Sequence, residues 1–141
     1  MSAHPPVSGL VPHRPPALLL DRILELSASH CVALVRVEPD AWYLQADGTA
    51  PAWVGLEWMA QTISAFSGNR HRLEGRPPRI GFLLGSRSYE AFVPAFAVGM
   101  ELEVEAEVLF LDESGPGAFQ CEIRRSGGIL ARARLKAIEM P

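Results

Sequence analysis

A single carboxylate, Glu57, interrupts a segment that is otherwise apolar for several turns. The residues around it are Val54, Leu56, Trp58, Met59, Ala60, Ile63, Ala65 and Phe66. A helix that is apolar on nearly every side belongs in the interior of a domain. A carboxylate there loses hydration and needs either a partner or a chemical role. Glu57 is therefore a candidate acid–base group, and the alternative is a glutamate at the solvated edge of a buried helix.

The surrounding pattern predicts one long helix and a set of strands. The apolar run predicts the helix over residues 52–71. The first sixteen residues hold five prolines, which predict an extended arm over residues 1–16 with at most a short turn. Alternating and β-branched segments predict strands at residues 17–26, 31–37, 79–91, 101–108, 118–125 and 129–138. Segments rich in Gly and Pro connect them.

The strand at residues 101–108 alternates strictly between glutamate and apolar residues. This pattern places Glu101, Glu103, Glu105 and Glu107 on one face of a sheet. A solvated sheet face is the simplest interpretation, because the spacing is regular and no His joins the row. We therefore expect neither a catalytic cluster nor a metal site there.

Length and charge limit the class of protein. A chain of 141 residues fits a single domain over residues 1–141. Its net charge of -3 argues against nucleic-acid binding, since no basic excess exists to neutralise phosphates. We expect no membrane segment and no signal peptide, and hence a cytoplasmic protein. Cys31 and Cys121 fit buried free thiols, and no residue spacing suggests a metal or another cofactor.

The element order predicts an α+β fold. Five or six antiparallel strands accompany one helix that is apolar on nearly every side. To bury all faces of that helix, a single curved sheet must wrap around it. We therefore predict the hotdog fold, in which a curved antiparallel sheet wraps a long central helix.

Three motifs together resemble the 3-hydroxyacyl-acyl-carrier-protein dehydratases of fatty-acid synthesis. Residues 10–22 read LVPHRPPALLLDR and resemble the family's stretch LPHRxPxLLxDR. Residues 56–61 read LEWMAQ and match its helix motif EAMAQ, with Trp58 at a position that is usually small. Residues 81–99 are similar to its later strand and Pro-x-x-x-Gly-Asp turn. The resemblance extends to a branch found with aryl-polyene pigment synthases.

One departure from the family affects the expected chemistry. The family carries a catalytic His in a Gly-His-Phe-Pro loop just before the helix, and this His acts with the Glu of a second subunit. Here the corresponding residues 44–52 read LQADGTAPA and contain no His. The resemblance therefore assigns a catalytic role to Glu57 and leaves its acid–base partner open.

Dehydration of a 3-hydroxyacyl thioester removes a proton from C2 and protonates the hydroxyl that leaves C3. Negative charge develops on the thioester oxygen, and free N–H groups at a helix N-terminus suit that oxygen. Trp53 and Val54 would supply such donors. The candidate substrate-binding residues are Trp53, Val54, Gly55, Trp58 and Gln61.

Two residues are candidates for the missing second group. His13 lies between prolines, which stiffen it, and imidazole is suited to proton transfer near neutral pH. Asp47 lies in the loop that carries the His in the family. The alternatives are a structural or surface role for His13 and a turn role for Asp47 in its Asp-Gly pair.

The implied partners are an acyl carrier protein, its acyl thioester substrate and a second hotdog chain in a homodimer or higher oligomer. A local basic cluster could attract the acidic carrier protein: Arg70, Arg72, Arg76, Arg79 and Arg87. Joining two open sheet edges favours the dimer. Two alternative functions remain: a hotdog acyl thioesterase, and a catalytically silent acyl-binding subunit of a heteromeric dehydratase.

Overall fold

The computed structural model describes residues 4–77, 81–112 and 114–139, without the side chains of residues 81–84, 86 and 87. One long helix packs against a large antiparallel sheet, as predicted for a hotdog fold. The elements in chain order are a 3-10 turn (Val7–Gly9), β1 (Arg22–Leu26), β2 (His30–Arg36), β3 (Thr49–Pro51), α1 (Val54–Leu73), β4 (Gly81–Ala91), β5 (Ala95–Ala97), β6 (Glu101–Leu111), β7 (Pro116–Arg125) and β8 (Gly128–Glu139).

Six strands form the main sheet in the order β1-β2-β6-β7-β8-β4, and every neighbouring pair is antiparallel. The short strands β3 and β5 pair with each other in a separate ribbon. This ribbon brings the loop before α1 next to the chain that follows β4. The start of α1 is therefore held by residues that precede the helix in the sequence and by residues that follow it.

Small inward-facing residues let α1 lie close to the sheet. Ala33, Ala106 and Ala133 are buried on strands of the main sheet, and a short side chain leaves room for a large one opposite. Phe66 of α1 fills part of this space and meets Phe119 edge-on, with ring centroids 5.8 Å apart. Packing of this kind accounts for the burial of the helix side that faces the sheet.

The main sheet is not the only element that covers α1. The prediction that the sheet wraps all faces of the helix is therefore modified. A segment that we call the strap, residues 10–19, lies along another side of α1. The backbone of Leu10 lies so close to Gly68 that a Cβ atom there would come within 2.6 Å of the Leu10 carbonyl carbon. Nine residues further on, the backbone N–H of Leu19 donates to the side chain of Gln61.

Several element boundaries differ from the sequence prediction, and those of β2, β6, β7 and β8 differ by one to three residues. The helix begins and ends two residues later than the predicted 52–71, because residues 52 and 53 form a turn after β3. The first strand begins at Arg22 and not at residue 17, since residues 17 and 19 bond to α1. The predicted strand at 79–91 begins at Gly81, and residues 79 and 80 lie outside the described residues.

His71 is a buried residue, although a histidine near the end of a helix would ordinarily be expected at the surface. Its side chain is buried at the C-terminal end of α1, where Nε2 lies 2.6 Å from Oε2 of Glu139. Residue 139 is the last residue of β8 and is distant in sequence, so no local pattern indicates the contact. The pair ties the end of the helix to the end of the sheet.

The glutamate row forms a solvated sheet face, as predicted. Glu103 and Glu107 are exposed, and Glu105 is half-buried because Arg124 of β7 covers it. Arg124 donates to Oε1 of Glu105 over 2.7 Å and to Oε1 of Glu122 over 3.1 Å. The outer face is thus a network of charge pairs across β6 and β7.

Candidate functional site

Glu57 lies in the first turn of α1, and Gln61, one turn further on, orients its carboxylate. The Nε2 of Gln61 donates to Oε1 of Glu57 over 3.0 Å. Glu57 itself is half-buried, whereas Gln61 is fully buried. The carboxylate therefore has one fixed oxygen and access to the surroundings of the helix, which a proton-transfer group needs.

The amide of Gln61 is held by the backbone of the strap. Its Oε1 accepts the N–H of Leu19 over 2.8 Å, and its Nε2 donates to the carbonyl of Ala17 over 2.7 Å. These two bonds fix the plane of the amide, so the remaining Nε2 hydrogen points to Glu57. The sequence predicts Gln61 as a substrate-binding residue, and the structure gives it these contacts within the chain.

One stripe of α1 is left half-buried, and Glu57 lies beside it. The stripe consists of Leu56, Ala60, Ser64 and Ser67, whose spacing of four, four and three residues places them on one side of the helix. The side chains of the strap side and the sheet side of α1 are buried. A substrate or a second chain can therefore approach Glu57 from this stripe.

The start of α1 offers two backbone donors. The N–H groups of Gly55 and Leu56 donate to the carbonyls of Ala52 and Trp53, each over 3.1 Å. The N–H groups of Trp53 and Val54 donate to no acceptor within the described residues. Free donors at a helix N-terminus favour a negatively charged oxygen. Trp53 and Val54 thus have the donors that their predicted role requires, and the role itself stays a prediction.

The absence of a side chain at Gly55 leaves room for Tyr89, which the sequence analysis does not identify as part of the site. A Cβ atom on Gly55 would overlap the hydroxyl of Tyr89 and come within 2.8 Å of Cδ1 of Ile123. The Tyr89 hydroxyl donates to the carbonyl of Ala52. Burial raises the pKa of Tyr89 to about 12, so this hydroxyl keeps its proton at neutral pH. A glycine in the first turn of a helix was the only sequence signal for this contact.

Trp58 belongs to an aromatic cluster in the interior. Its side chain is fully buried, with its ring centroid 6.1 Å from that of Tyr43 and 5.0 Å from that of Phe96. Its Nε1 is buried without a hydrogen-bond partner among the described residues. Trp58 thus fills the space between α1, the loop before β3 and β5.

Among the described residues, the side chain of His13 makes no hydrogen bond to Glu57. His13 is half-buried in the strap, between the contact of Leu10 with Gly68 and the contact of Leu19 with Gln61. Both contacts lie on the C-terminal side of Glu57 along α1. Within the described residues, the buried Nδ1 of His13 has no hydrogen-bond partner.

Asp47 stabilises its own turn. Its Oδ1 accepts the hydroxyl of Thr49 over 2.7 Å and the backbone N–H of Thr49 over 3.0 Å. These two bonds hold the pKa of Asp47 below its ordinary value. The side chain is exposed, and among the described residues it makes no hydrogen bond to Glu57. Of the two roles considered for Asp47, the structure thus gives it the contacts of the turn role.

The predicted basic cluster is described in part. Arg70, Arg72 and Arg76 are exposed near the end of α1. Arg79 and the side chain of Arg87 lie outside the described residues. Arg72 donates to a neighbouring asparagine and Arg76 to a neighbouring glutamate. The cluster is therefore partly neutralised by its own segment.

Both cysteines are buried in the sheet. Burial raises the pKa of Cys31 to about 12 and also raises the pKa of Cys121, so both thiols stay neutral at physiological pH. Within residues 4–77, 81–112 and 114–139, no group of three or more His, Cys, Asp and Glu residues could hold a metal ion. No helix in this part of the chain is long and apolar enough to span a membrane.

A dehydratase family matches nearly the whole chain. The family is described as ApeP-like, ApeP dehydratase, and the match covers residues 5–141. The chain is also similar to a solved structure, the dehydratase heterocomplex ApeI:P from Xenorhabdus doucetiae, at 32% identity and a TM-score of 0.93. That match covers 98% of this chain and 93% of the other. No curated protein sequence matches significantly.

More distant structures share the fold. The TT0310 protein from Thermus thermophilus is 18% identical with a TM-score of 0.64, over 84% of this chain and 91% of that one. The PaaI protein from the E. coli phenylacetic acid degradation operon is 14% identical with a TM-score of 0.63, over 82% and 80% of the two chains. At these identities the likeness concerns the fold alone.

Proposed function

The chain belongs to the ApeP-like dehydratase family and is a hotdog dehydratase-like protein, and we propose that it supplies Glu57 for the elimination of water from a 3-hydroxyacyl thioester on an acyl carrier protein. The observation that supports this most directly is the fixed carboxylate of Glu57. It lies beside the half-buried stripe of α1, 3.0 Å from the amide nitrogen that orients it.

In this proposal Glu57 handles the protons of the reaction. Its free oxygen takes the proton from C2 or delivers a proton to the hydroxyl leaving C3. Gln61 restricts the carboxylate to one orientation, which reduces the entropy that the transition state has to lose. Because the other sides of α1 are buried, we place the acyl thioester along the stripe of Leu56, Ala60, Ser64 and Ser67.

The thioester oxygen gains negative charge as the C2 proton leaves. The free N–H groups of Trp53 and Val54 can stabilise such an oxygen. Because Gly55 has no side chain, Tyr89 can approach closely and donate to the carbonyl of Ala52. This bond helps to fix the backbone turn that carries the N–H groups of Trp53 and Val54. Trp58 limits how far an acyl chain can extend into the interior, because it already fills the space there.

The second acid–base group is the open part of the mechanism. Within one described chain, neither His13 nor Asp47 is hydrogen-bonded to Glu57, and the family's loop His is absent. We therefore propose that the second group comes from another hotdog chain, either His13 of a second copy or the loop His of a related subunit. The similar structure from Xenorhabdus doucetiae is itself a dehydratase heterocomplex, which favours the related subunit.

The open edge of the main sheet suits such an assembly. β4 ends the strand order and has only β8 beside it among the described strands. It is eleven residues long, and a long unpaired edge strand is a template for pairing with another sheet. We propose a dimer, homomeric or mixed, that buries this edge.

The test is mass spectrometry of a 3-hydroxyacyl carrier-protein substrate. The substrate is incubated with this chain alone, with a His-bearing hotdog dehydratase subunit alone, and with both together. The proposal expects loss of one water in the mixture at a rate above the sum of the single proteins. Glu57→Gln should reduce that rate by about 10²–10⁴.

The matched control is Glu107→Gln, which neutralises an exposed carboxylate on the outer face of β6. This variant should react like the wild type. Full activity of Glu57→Gln in the mixture would remove Glu57 from the mechanism and favour the silent-subunit alternative. Release of free acid in place of the unsaturated product would favour the thioesterase alternative.

A further inference from the structure

We propose that Gly68 and Trp42 are positioning residues for Glu57: they hold the strap on α1, and the strap holds Gln61. This inference rests on the proposed role of Glu57. It concerns two residues that make no hydrogen bond to the carboxylate among the described residues and that act on it through the backbone of residues 10–19.

The strap is anchored at three points. At its start, the Leu10 backbone lies directly over Gly68. Near its end, the carbonyl of Pro16 accepts the N–H of Trp42 Nε1 over 2.9 Å. The third point is the pair of bonds that join Ala17 and Leu19 to the side chain of Gln61.

Between these anchors, hydrogen bonds within the strap make it stiffer. Nη1 of Arg14 donates to the carbonyl of Val11 over 2.9 Å and to the carbonyl of His13 over 2.8 Å. The carbonyl of Arg14 in turn accepts the N–H of Ala17 over 2.9 Å. A displacement at Leu10 is therefore passed along the strap to Ala17 and is not absorbed by a flexible loop.

The position of the strap on α1 is sensitive to a substitution of Gly68. A Cβ atom there would overlap the Leu10 carbonyl oxygen and lie 2.6 Å from its carbon and 3.0 Å from its Cα. These are backbone atoms, so they cannot turn away as the end of a side chain would. Alanine otherwise favours a helix over glycine. A glycine in the interior of α1 is thus explained by the close approach of the strap.

Gln61 converts the position of the strap into the orientation of Glu57. Two of its three hydrogen bonds go to the strap, and the third goes to Glu57. When the strap moves away, the amide loses the two bonds that fix its plane and can rotate. The carboxylate then has a mobile donor in place of a fixed one, and small displacements of a reacting group are costly in rate.

The first experiment compares Gly68→Ala with Gly9→Ala. Gly9 lies just before the strap, where an added Cβ meets no atom within 4 Å, so this variant is the matched control. In the assembly that dehydrates the substrate, Gly68→Ala should lower kcat by about tenfold or more while KM changes by less than about twofold. Gly9→Ala should leave both constants unchanged.

Two further variants separate positioning from simple loss of fold. Trp42→Phe keeps an aromatic ring but removes the donor to Pro16, and it should lower kcat in the same direction as Gly68→Ala. In a Gln61→Leu background, Gly68→Ala should cost little more, because residues that act through one another are not additive. Independent, additive losses would overturn the inference.

Measurements without turnover keep the inference separate from the proposed function. Hydrogen exchange at the Leu19 amide should be faster in Gly68→Ala than in the wild type or Gly9→Ala. A crystal structure of Gly68→Ala should show Gln61 Nε2 no longer at hydrogen-bond distance from Glu57. If no assembly dehydrates the substrate, the proposed function fails, and these two measurements still decide the inference. The inference would be overturned if, in Gly68→Ala, the Leu19 amide exchanged as slowly as in the wild type and the Gln61–Glu57 hydrogen bond were intact.

Discussion

Replacing Gln61 by leucine measures how much the buried amide contributes to the stability of the fold. The change removes three hydrogen bonds: to Ala17, to Leu19 and to Glu57. At about 1 kcal/mol net for each bond, the loss is about 3 kcal/mol. The more apolar leucine returns about 1 kcal/mol through burial. We therefore expect the free energy of unfolding in urea to fall by about 2 kcal/mol (the balance of these two contributions).

Gln61→Glu tests the same contacts with a charged isostere. It keeps an acceptor for Leu19 but loses both donors, and it places a negative oxygen at the 3.0 Å from Glu57 that the hydrogen bond now spans. Two carboxylates at that distance disfavour each other's ionised form. The loss at pH 7 should therefore exceed that of Gln61→Leu, and the excess should decrease as the pH falls and one carboxyl takes up a proton.

The matched control is Gln120→Leu on β7, because this half-buried glutamine makes one long bond of 3.4 Å to the carbonyl of Ala133. Its free energy of unfolding should stay within about 0.5 kcal/mol of the wild type. The reasoning is refuted if Gln61→Leu is as neutral as this control. It is also refuted if Gln61→Glu is the more stable of the two Gln61 variants at pH 7.

Three further predictions concern fully or partly buried groups. Trp58→Phe removes a donor that is unpaired among the described residues and keeps an aromatic ring. It should lower the free energy of unfolding in urea by less than about 1.5 kcal/mol, against about 3–5 kcal/mol for Trp58→Ala. Equal losses in the two variants would contradict the packing of Trp58 against Tyr43 and Phe96. Burial raises the pKa of Cys31 to about 12 and that of Cys121 as well, so a thiol reagent at pH 8 should label neither cysteine before the protein unfolds. Burial also raises the pKa of Tyr89 from 10.0 to about 12; because the folded state binds this proton more tightly, its contribution to stability is complete below pH 10 and is lost as the pH rises toward 12. Tyr89→Phe should flatten the unfolding free energy between those two pH values, and an unchanged slope would count against the shift.

The elements with a clear periodicity could be predicted from the sequence. The glutamate row placed β6 and identified its solvated face, and the apolar run around Glu57 placed α1 to within two residues at each end. Residues 17–21 misled the same reasoning. Leu18, Leu19 and Leu20 suggest a strand, but Leu19 bonds to the side chain of Gln61 and not to a neighbouring strand. A strand pattern cannot show which partner takes the backbone hydrogen bonds.

The candidate site divides in the same way. Glu57 could be identified as a candidate because a carboxylate in an otherwise apolar helix stands out in a single sequence. The contacts that fix it could not, since they join Gln61 to backbone atoms more than forty positions away. Tyr89 and Gly55 also meet across a long separation in sequence. Contacts that depend on the tertiary fold leave no local pattern, whereas Gly68 and Gly55 at least mark places where another chain segment approaches closely.

The polar contacts around α1 are compatible with our proposal that a second chain supplies the acid–base partner of Glu57. The groups that orient Glu57 come from the chain itself, namely Gln61 and the strap. Neither of the described candidates that could complement it, His13 and Asp47, is hydrogen-bonded to it. A homodimer would contain the same residues twice and no loop His, whereas a mixed dimer would contain one if the related subunit carries the family's loop His. Because proton transfer requires both groups within hydrogen-bond reach of one substrate, a related subunit is the simpler way to complete the site at the stripe beside Glu57.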